Sequence, residues 1–312
     1  MTTTDEKYRL AEKLMQEKRY DEAVALYEEL VRLNPGEDSH RLALAWAYKD
    51  SGRLDEAVAL FEELLEKELS RKLFTGFAFD DLVKIFREEK QYDRMIQICE
   101  RAVSAQPDDV SLLFTLGDAY LAGGFPVKAI DVFKKIIMMD PDASSFMGLG
   151  NAQVAAGDFE GAEEAYEQAG SFDPSSSDVY YNRLGMAYLR AGYFDRAEMA
   201  FRKAIDCNST QPIYYCNMGD ALAMEGRLDE AEAVYEEAAA INPGSRRGVY
   251  LNRLGNTLHR EKRYLQAIRV FKKALEEEPK NPFYHMHLAR SYEAAGFPEE
   301  ARRENEKAQS LK

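Results

Sequence analysis

YYNRLGMAYLRAGYFDRA, from Tyr180 to Ala197, returns seventy residues later as YLNRLGNTLHREKRYLQA, from Tyr250 to Ala267. Leu, Gly and Ala recur in register, as a packed helix pair requires. The Asn-Arg pair in the middle is less expected, because Asn is a mediocre helix former whose cost packing or chemistry should offset. Extending this frame outward gives nine units, starting near Thr4, Asp38, Gly76, Val110, Ala143, Asp178, Pro212, Gly248 and Pro282, most of them spaced within two residues of 34. A period of this size marks a repeat array.

The eighth position of each unit is small or short: Ala11, Ala45, Val83, Gly117, Gly150, Gly185, Gly219, Gly255 and Ala289. The twentieth is Ala except for Met95, the twenty-fourth is usually aromatic, and the thirty-second is usually proline. Small residues at two sites let two helices approach closely. The aromatic is expected to fill the space between one unit and the next, and the proline to end the second helix. Gly52, Gly124, Gly157, Gly192, Gly226 and Gly296 fall where the chain must turn between the helices. Each unit is therefore a helical hairpin that cannot bury its apolar face alone, and the fold class is all-α, a solenoid of stacked hairpins.

Segments such as LGDAYLAGGFPVKAIDVFKKIIMMDP and MGDALAMEGRLDEAEAVYEEAAAINP resemble the tetratricopeptide repeat (TPR) family, and the resemblance covers essentially the whole chain. It implies a right-handed superhelix whose first helices line a concave groove for peptides or protein segments, and it implies no chemistry. Repeats 1–2 are expected over 4–71, an irregular join at 72–75, repeats 3–8 over 76–279, and repeat 9 with a polar capping helix over 280–312, in one continuous array. The join departs from the pattern by its extra residues and missing proline, and Asn305 replaces the aromatic of the last unit.

Composition narrows the function classes. Apolar residues make up 46% of 312, enough for a sizeable core, and no apolar run is long enough to span a bilayer. The polar start MTTTDEKYRL lacks the hydrophobic stretch of a signal peptide, so a cytoplasmic location is expected. Cys99, Cys207 and Cys216 have no paired spacing and read as packing thiols. A net charge of −14 speaks against nucleic acid or an acidic membrane as partner. The charge is uneven: fifteen Lys and Arg against nine Glu from Arg246 onward give +6, leaving −20 for the first 245 residues. No phosphate loop, nucleophile elbow or metal-ligand spacing appears, so neither catalysis nor a cofactor nor a metal is expected.

At 100° per residue, the second, sixth, ninth and thirteenth positions of each first helix, flanked by the fifth and twelfth, lie opposite the hairpin's own core. They meet a neighbouring first helix or a ligand. In units one to four these positions hold Tyr8, Leu42, Trp46, Phe77 and Phe114 among acids such as Glu12, Asp80 and Asp118. In units six to nine they hold Asn182, Arg183, Asn217, Asn252, Arg253, Asn256, His259, Arg260, His287 and Arg290, and the small residues of unit five leave room between. Asn182, Asn217 and Asn252 recur every 35 residues and could pair as a ladder with the backbone of an extended peptide. Arg183, Arg253, Arg260 and Arg290 would then select acidic groups. The alternative is that Asn and Arg pair with groups on adjacent helices.

The carboxylate clamp of chaperone-binding TPR modules is matched at Asn217 and Arg253. It fails at Met186 and Val249, and Asn182 replaces its first Lys. Binding of a chaperone tail is therefore not expected. Trp46 reads either as a binding hot spot or as a contact with Tyr8 or with the next unit. The expected function is a non-catalytic scaffold that binds a peptide or protein segment. Self-association through the groove, or through Phe74, Phe77 and Phe79, is the alternative.

Overall fold

A computed structural model describes residues 3–71, 76–241 and 247–311. These residues form helices and turns without a strand, in two compact units, the first reaching Ile136 and the second starting at Ile137. The division lies inside a helix and not at the 72–75 join, and both 72–75 and Phe74 lie outside the described residues.

The first unit comprises α1 (Thr4–Gln16), α2 (Tyr20–Leu33), α3 (Asp38–Asp50), α4 (Leu54–Arg71), α5 (Phe77–Glu88), α6 (Tyr92–Ala105), α7 (Val110–Ala122) and most of α8 (Pro126–Met139). The second holds α9 (Ala143–Ala156), α10 (Phe159–Phe172), α11 (Ser177–Ala191), α12 (Phe194–Cys207), α13 (Pro212–Glu225), α14 (Leu228–Ile241), α15 (Arg247–Arg260), α16 (Tyr264–Glu277), α17 (Pro282–Ala294) and α18 (Pro298–Ser310). Pro35, Pro107, Pro141, Pro174 and Pro279 each stand two residues past the end of a second helix, as their lack of a backbone N–H dictates. Pro243 lies outside the described residues.

The close approach at the eighth position is real, but its partner differs from expectation. A Cβ on Gly185 would lie 2.6 Å from the Phe201 ring, and one on Gly219 would lie 2.7 Å from Tyr235. The twenty-fourth aromatic thus packs on the glycine of its own hairpin, closing the helix pair. Some rings also reach onward: Phe271, against Gly255 of its own unit, has its centroid 5.7 Å from the His287 ring of the next.

Turn geometry follows the sequence where glycine is present. Gly192 and Gly226 have φ of 84° and 90°, in the left-handed region that costs other residues about 1–2 kcal/mol. In three units lysine takes the same position and conformation: Lys18, Lys90 and Lys262 have φ of 60°, 56° and 60°. Cys99 and Cys216 are buried thiols, both pushed up to about 12 by burial, whereas Cys207 is exposed, so only two of the three serve packing.

Candidate functional site

In the second unit the first helices α11, α13, α15 and α17 pack consecutively against one another, and the Asn and Arg side chains lie along their contacts. Asn217, only 4% exposed, donates from Nδ2 to Asn182 Oδ1 at 2.8 Å and accepts at Oδ1 from Arg253 Nη2 at 2.9 Å. Arg253 also holds the Asp220 carboxylate, donating from Nε at 3.2 Å and from Nη2. Asp220 accepts further from Thr257 Oγ1 at 3.0 Å and from the Tyr235 hydroxyl, and Arg260 donates to Thr257 Oγ1 at 3.1 Å. A polar chain therefore runs from Asn182 through Asn217, Arg253 and Asp220 to Arg260. Although burial works against its charge, Arg253 is held above the usual guanidinium range by Asp220.

The chain continues on α15 and α17. His287 donates from Nδ1 to Asn252 Oδ1 at 2.8 Å, with Asn256 Nδ2 3.5 Å from the same nitrogen, and His259 Nδ1 lies 2.9 Å from Ser291 Oγ. Burial, with the nearby Arg290, lowers the pKa of both imidazoles, and His259 lowers that of His287 further. The structure thus gives Asn217, Asn252 and Arg253 partners on neighbouring repeats, and sets Asn256 beside His287 of the next repeat.

Other predicted residues lack an acidic partner. Among the described residues, Arg183, Arg260 and Arg290 are exposed and face no carboxylate within ion-pair distance. Arg190, not singled out in the sequence although it shares the thirteenth position with Arg260, belongs with them. By contrast, the arginines of α12 and α16 are paired: Arg196 with Glu160 at 2.8 Å, Arg202 with Glu198 at 2.7 Å, and Arg269 with Glu232 at 2.5 Å.

A cavity of about 490 Å³ opens between α9 and α11, where the small residues of the fifth unit predicted room. Arg183, Arg190, Asn182, Asn151 and Tyr166 supply its polar lining, and Val154, Ala155, Met186 and Ala187 its apolar lining. The Tyr166 hydroxyl donates to Asn151 Oδ1 at 2.7 Å, and burial pushes its pKa up to about 12 against the opposing pull of Arg183 and Arg190.

The first unit differs. Trp46, 36% exposed on α3, donates its indole N–H to Asp81 Oδ2 at 2.5 Å, and Lys49 binds the other oxygen of Asp81 at 2.5 Å. Trp46 thus contacts the next first helix, α5, while part of its ring stays open. Tyr8 lies 5.7 Å from both the Tyr27 and His40 rings, and the half-buried Phe114 packs at 5.8 Å on Phe133. Phe77 is 59% exposed, but Phe79 is 2% exposed and belongs to the core. A surface patch made of both residues is therefore ruled out, because their side chains point to opposite sides of α5.

Three tetratricopeptide repeat family profiles match the chain, over 14–71 and 258–310, over 209–276, and over 115–177 and 147–212. A TPR repeat-containing protein of Pseudomonas aeruginosa is 32% identical over 104 residues, which is 33% of this chain and 97% of that protein. The chain belongs to the tetratricopeptide repeat family. Proteins of this family generally mediate protein–protein interactions. A Drosophila melanogaster protein named BBSome complex member BBS4 homolog is 26% identical over 172 residues, 54% of this repeat protein, which spans only 35% of the fly protein's length. The crystal structure of a tetratricopeptide repeat protein from Parabacteroides merdae agrees in fold, with a TM-score of 0.53 at 16% identity over 81% of this chain and 98% of that one. No described helix is long and apolar enough to cross a membrane.

Proposed function

We propose that this repeat protein is a non-catalytic, cytoplasmic scaffold that holds an extended protein segment against its first helices, and that in the second unit it selects a segment carrying acidic groups. The observation that carries this reading is a set of first-helix arginines that lack the counter-charges found on α12 and α16. Arginines on α12 and α16 are neutralised by neighbouring glutamates, whereas Arg183, Arg190, Arg260 and Arg290 on α11, α15 and α17 have no carboxylate partner among the described residues. Unpaired guanidiniums on one face attract and orient an anionic partner, and they raise association rate and specificity more than bulk affinity.

The Asn residues contribute in this reading mainly by fixing the spacing of the face, since Asn217 has both ends of its amide engaged. Asn182 keeps its Nδ2 donor for a ligand. Trp46, with Tyr8 and Phe114 nearby in sequence order along the first unit's helices, supplies apolar contact area there.

Affinity capture with the intact chain tests the reading, comparing wild type with Arg183→Ala/Arg290→Ala. Loss of about tenfold in affinity for the captured partner, equivalent to about 1.4 kcal/mol, together with a flatter salt dependence, is expected. Undiminished capture with unchanged salt dependence overturns the acidic selection.

A further inference from the structure

The cavity between α9 and α11 has an internal counterpart that shows what it lacks. In the seventh and eighth repeats, Tyr235 donates its hydroxyl to Asp220, and Asp220 takes Arg253 from the following first helix. In the fifth and sixth repeats, Tyr166 donates its hydroxyl to Asn151 at the position equivalent to Asp220, and Arg183 stands at the position equivalent to Arg253. Tyrosine, ninth-position residue and arginine recur, but an amide replaces the carboxylate. The Asn151 and Asn182 oxygens each accept one bond, from Tyr166 and Asn217, while neither Nδ2 has a partner among the described residues, so both amides keep donors for a ligand. Arg183 and Arg190, seven residues apart and so on one side of α11, add two charges without an acidic partner among the described residues.

The lining is therefore rich in donors and carries two uncompensated positive charges, beside an apolar wall of Val154, Ala155, Met186 and Ala187. We propose that this cavity is an oxyanion site: Arg183 and Arg190, helped by the Asn151 and Asn182 amides, bind the phosphomonoester or carboxylate head of a side chain, whose stem lies on Val154 and Met186. Guanidinium forks match both head groups in bidentate geometry. The neutral Tyr166 hydroxyl adds no charge to oppose the ligand, in keeping with its raised pKa. The site rests on the reading of the first helices as a binding face, and it names the chemical group that one part of that face takes.

The test uses the full chain and two small probes, N-acetyl-phosphoserine amide and N-acetyl-glutamate amide, each against sodium chloride at matched ionic strength. The arginine Nε–Hε signals are followed by NMR. Saturable shifts of the Arg183 and Arg190 signals by at least one probe, absent with chloride, are expected, and the probe that saturates at lower concentration identifies the head group. Asn151→Asp should weaken that binding at least tenfold, because it rebuilds the internal acid found at Asp220 and retains an acceptor for Tyr166. Arg183→Lys/Arg190→Lys should weaken it less than the double alanine variant. Absence of saturable shifts with both probes overturns the site, and so does binding that survives both Asn151→Asp and the double alanine change. Partner capture by Asn151→Asp at the wild-type level, with probe binding absent in the wild type, would sink the cavity while leaving the binding-face reading intact.

Discussion

Asn182-Arg183 and Asn252-Arg253 occupy the same positions of two repeats, yet the second arginine is enclosed in a hydrogen-bonded network and the first is exposed beside a cavity. The dipeptide does not decide this. The ninth residue of the preceding first helix does: Asp220 in one case and Asn151 in the other. A carboxylate there neutralises the incoming guanidinium and ties two repeats together, and an amide leaves the charge without that counter-ion. One repeat position can thus be tied into the contact between repeats or left outside it, depending on a residue about thirty positions away.

The comparison breaks most visibly at the acid. Asp220→Ala leaves Arg253, Thr257 and the Tyr235 hydroxyl without their shared acceptor, and should lower unfolding stability by about 3 kcal/mol. Asn151→Ala removes a single hydrogen bond from Tyr166 and should cost about 1 kcal/mol. Denaturant melts of the two variants should differ in midpoint by that margin, and equal losses would erase the distinction between the two sites.

The arginines themselves give a smaller separation. Arg253→Ala should cost about 2 kcal/mol, since it strips Asp220 and Asn217 of a donor, whereas Arg183→Ala should stay within about 0.5 kcal/mol, as expected of an exposed residue that forms no ion pair among the described residues. A thermal melt distinguishes them, and a marked loss in Arg183→Ala would show that it has a cohesive role.

The turns that follow the two dipeptides sharpen the contrast further. Gly192 and Lys262 hold equivalent left-handed conformations, so Lys262→Gly should stabilise by about 0.5 kcal/mol and Gly192→Lys should destabilise by about 1 kcal/mol. Opposite shifts in melting temperature are the expected readout.

Acidification should produce the smallest difference, confined to the repeat that carries Asn252 and the one after it. His259 and His287 have folded-state pKa values below their ordinary 6.5, through burial first and Arg290 next. The unfolded chain then binds more protons as pH falls from about 6.5 through the lowered folded values, so stability declines over that window and is fully present above it. Hydrogen exchange in α15 and α17 should accelerate there relative to α11, and His287→Asn should flatten the effect by keeping a side-chain partner for Asn252 that does not titrate.

Much of the architecture was legible in the repeat itself. The eighth-position glycines, the prolines and the turn glycines each answer a local steric demand, and such demands are written in the residues that meet them. Lys18, Lys90 and Lys262 show the limit of that reading, because the frame of the hairpin forces the left-handed turn even where glycine is absent. The candidate face was half legible: helical periodicity put Asn182, Arg183, Asn217, Arg253 and Arg290 on one side of the first helices. Periodicity is a property of one helix, however, and pairing is a property of two. Whether Arg253 meets Asp220, whether Phe79 turns inward while Phe77 does not, and whether a cavity stays open beside Arg183 depend on distances between helices far apart in sequence. The hairpins, their boundaries and the side on which the polar residues lie thus follow from residue pattern alone. Which charges hold repeats together, and which lack a counter-charge among the described residues, follows from the packing of the repeats, because neutralisation needs a counter-charge within a few ångströms, and stacking alone brings one there.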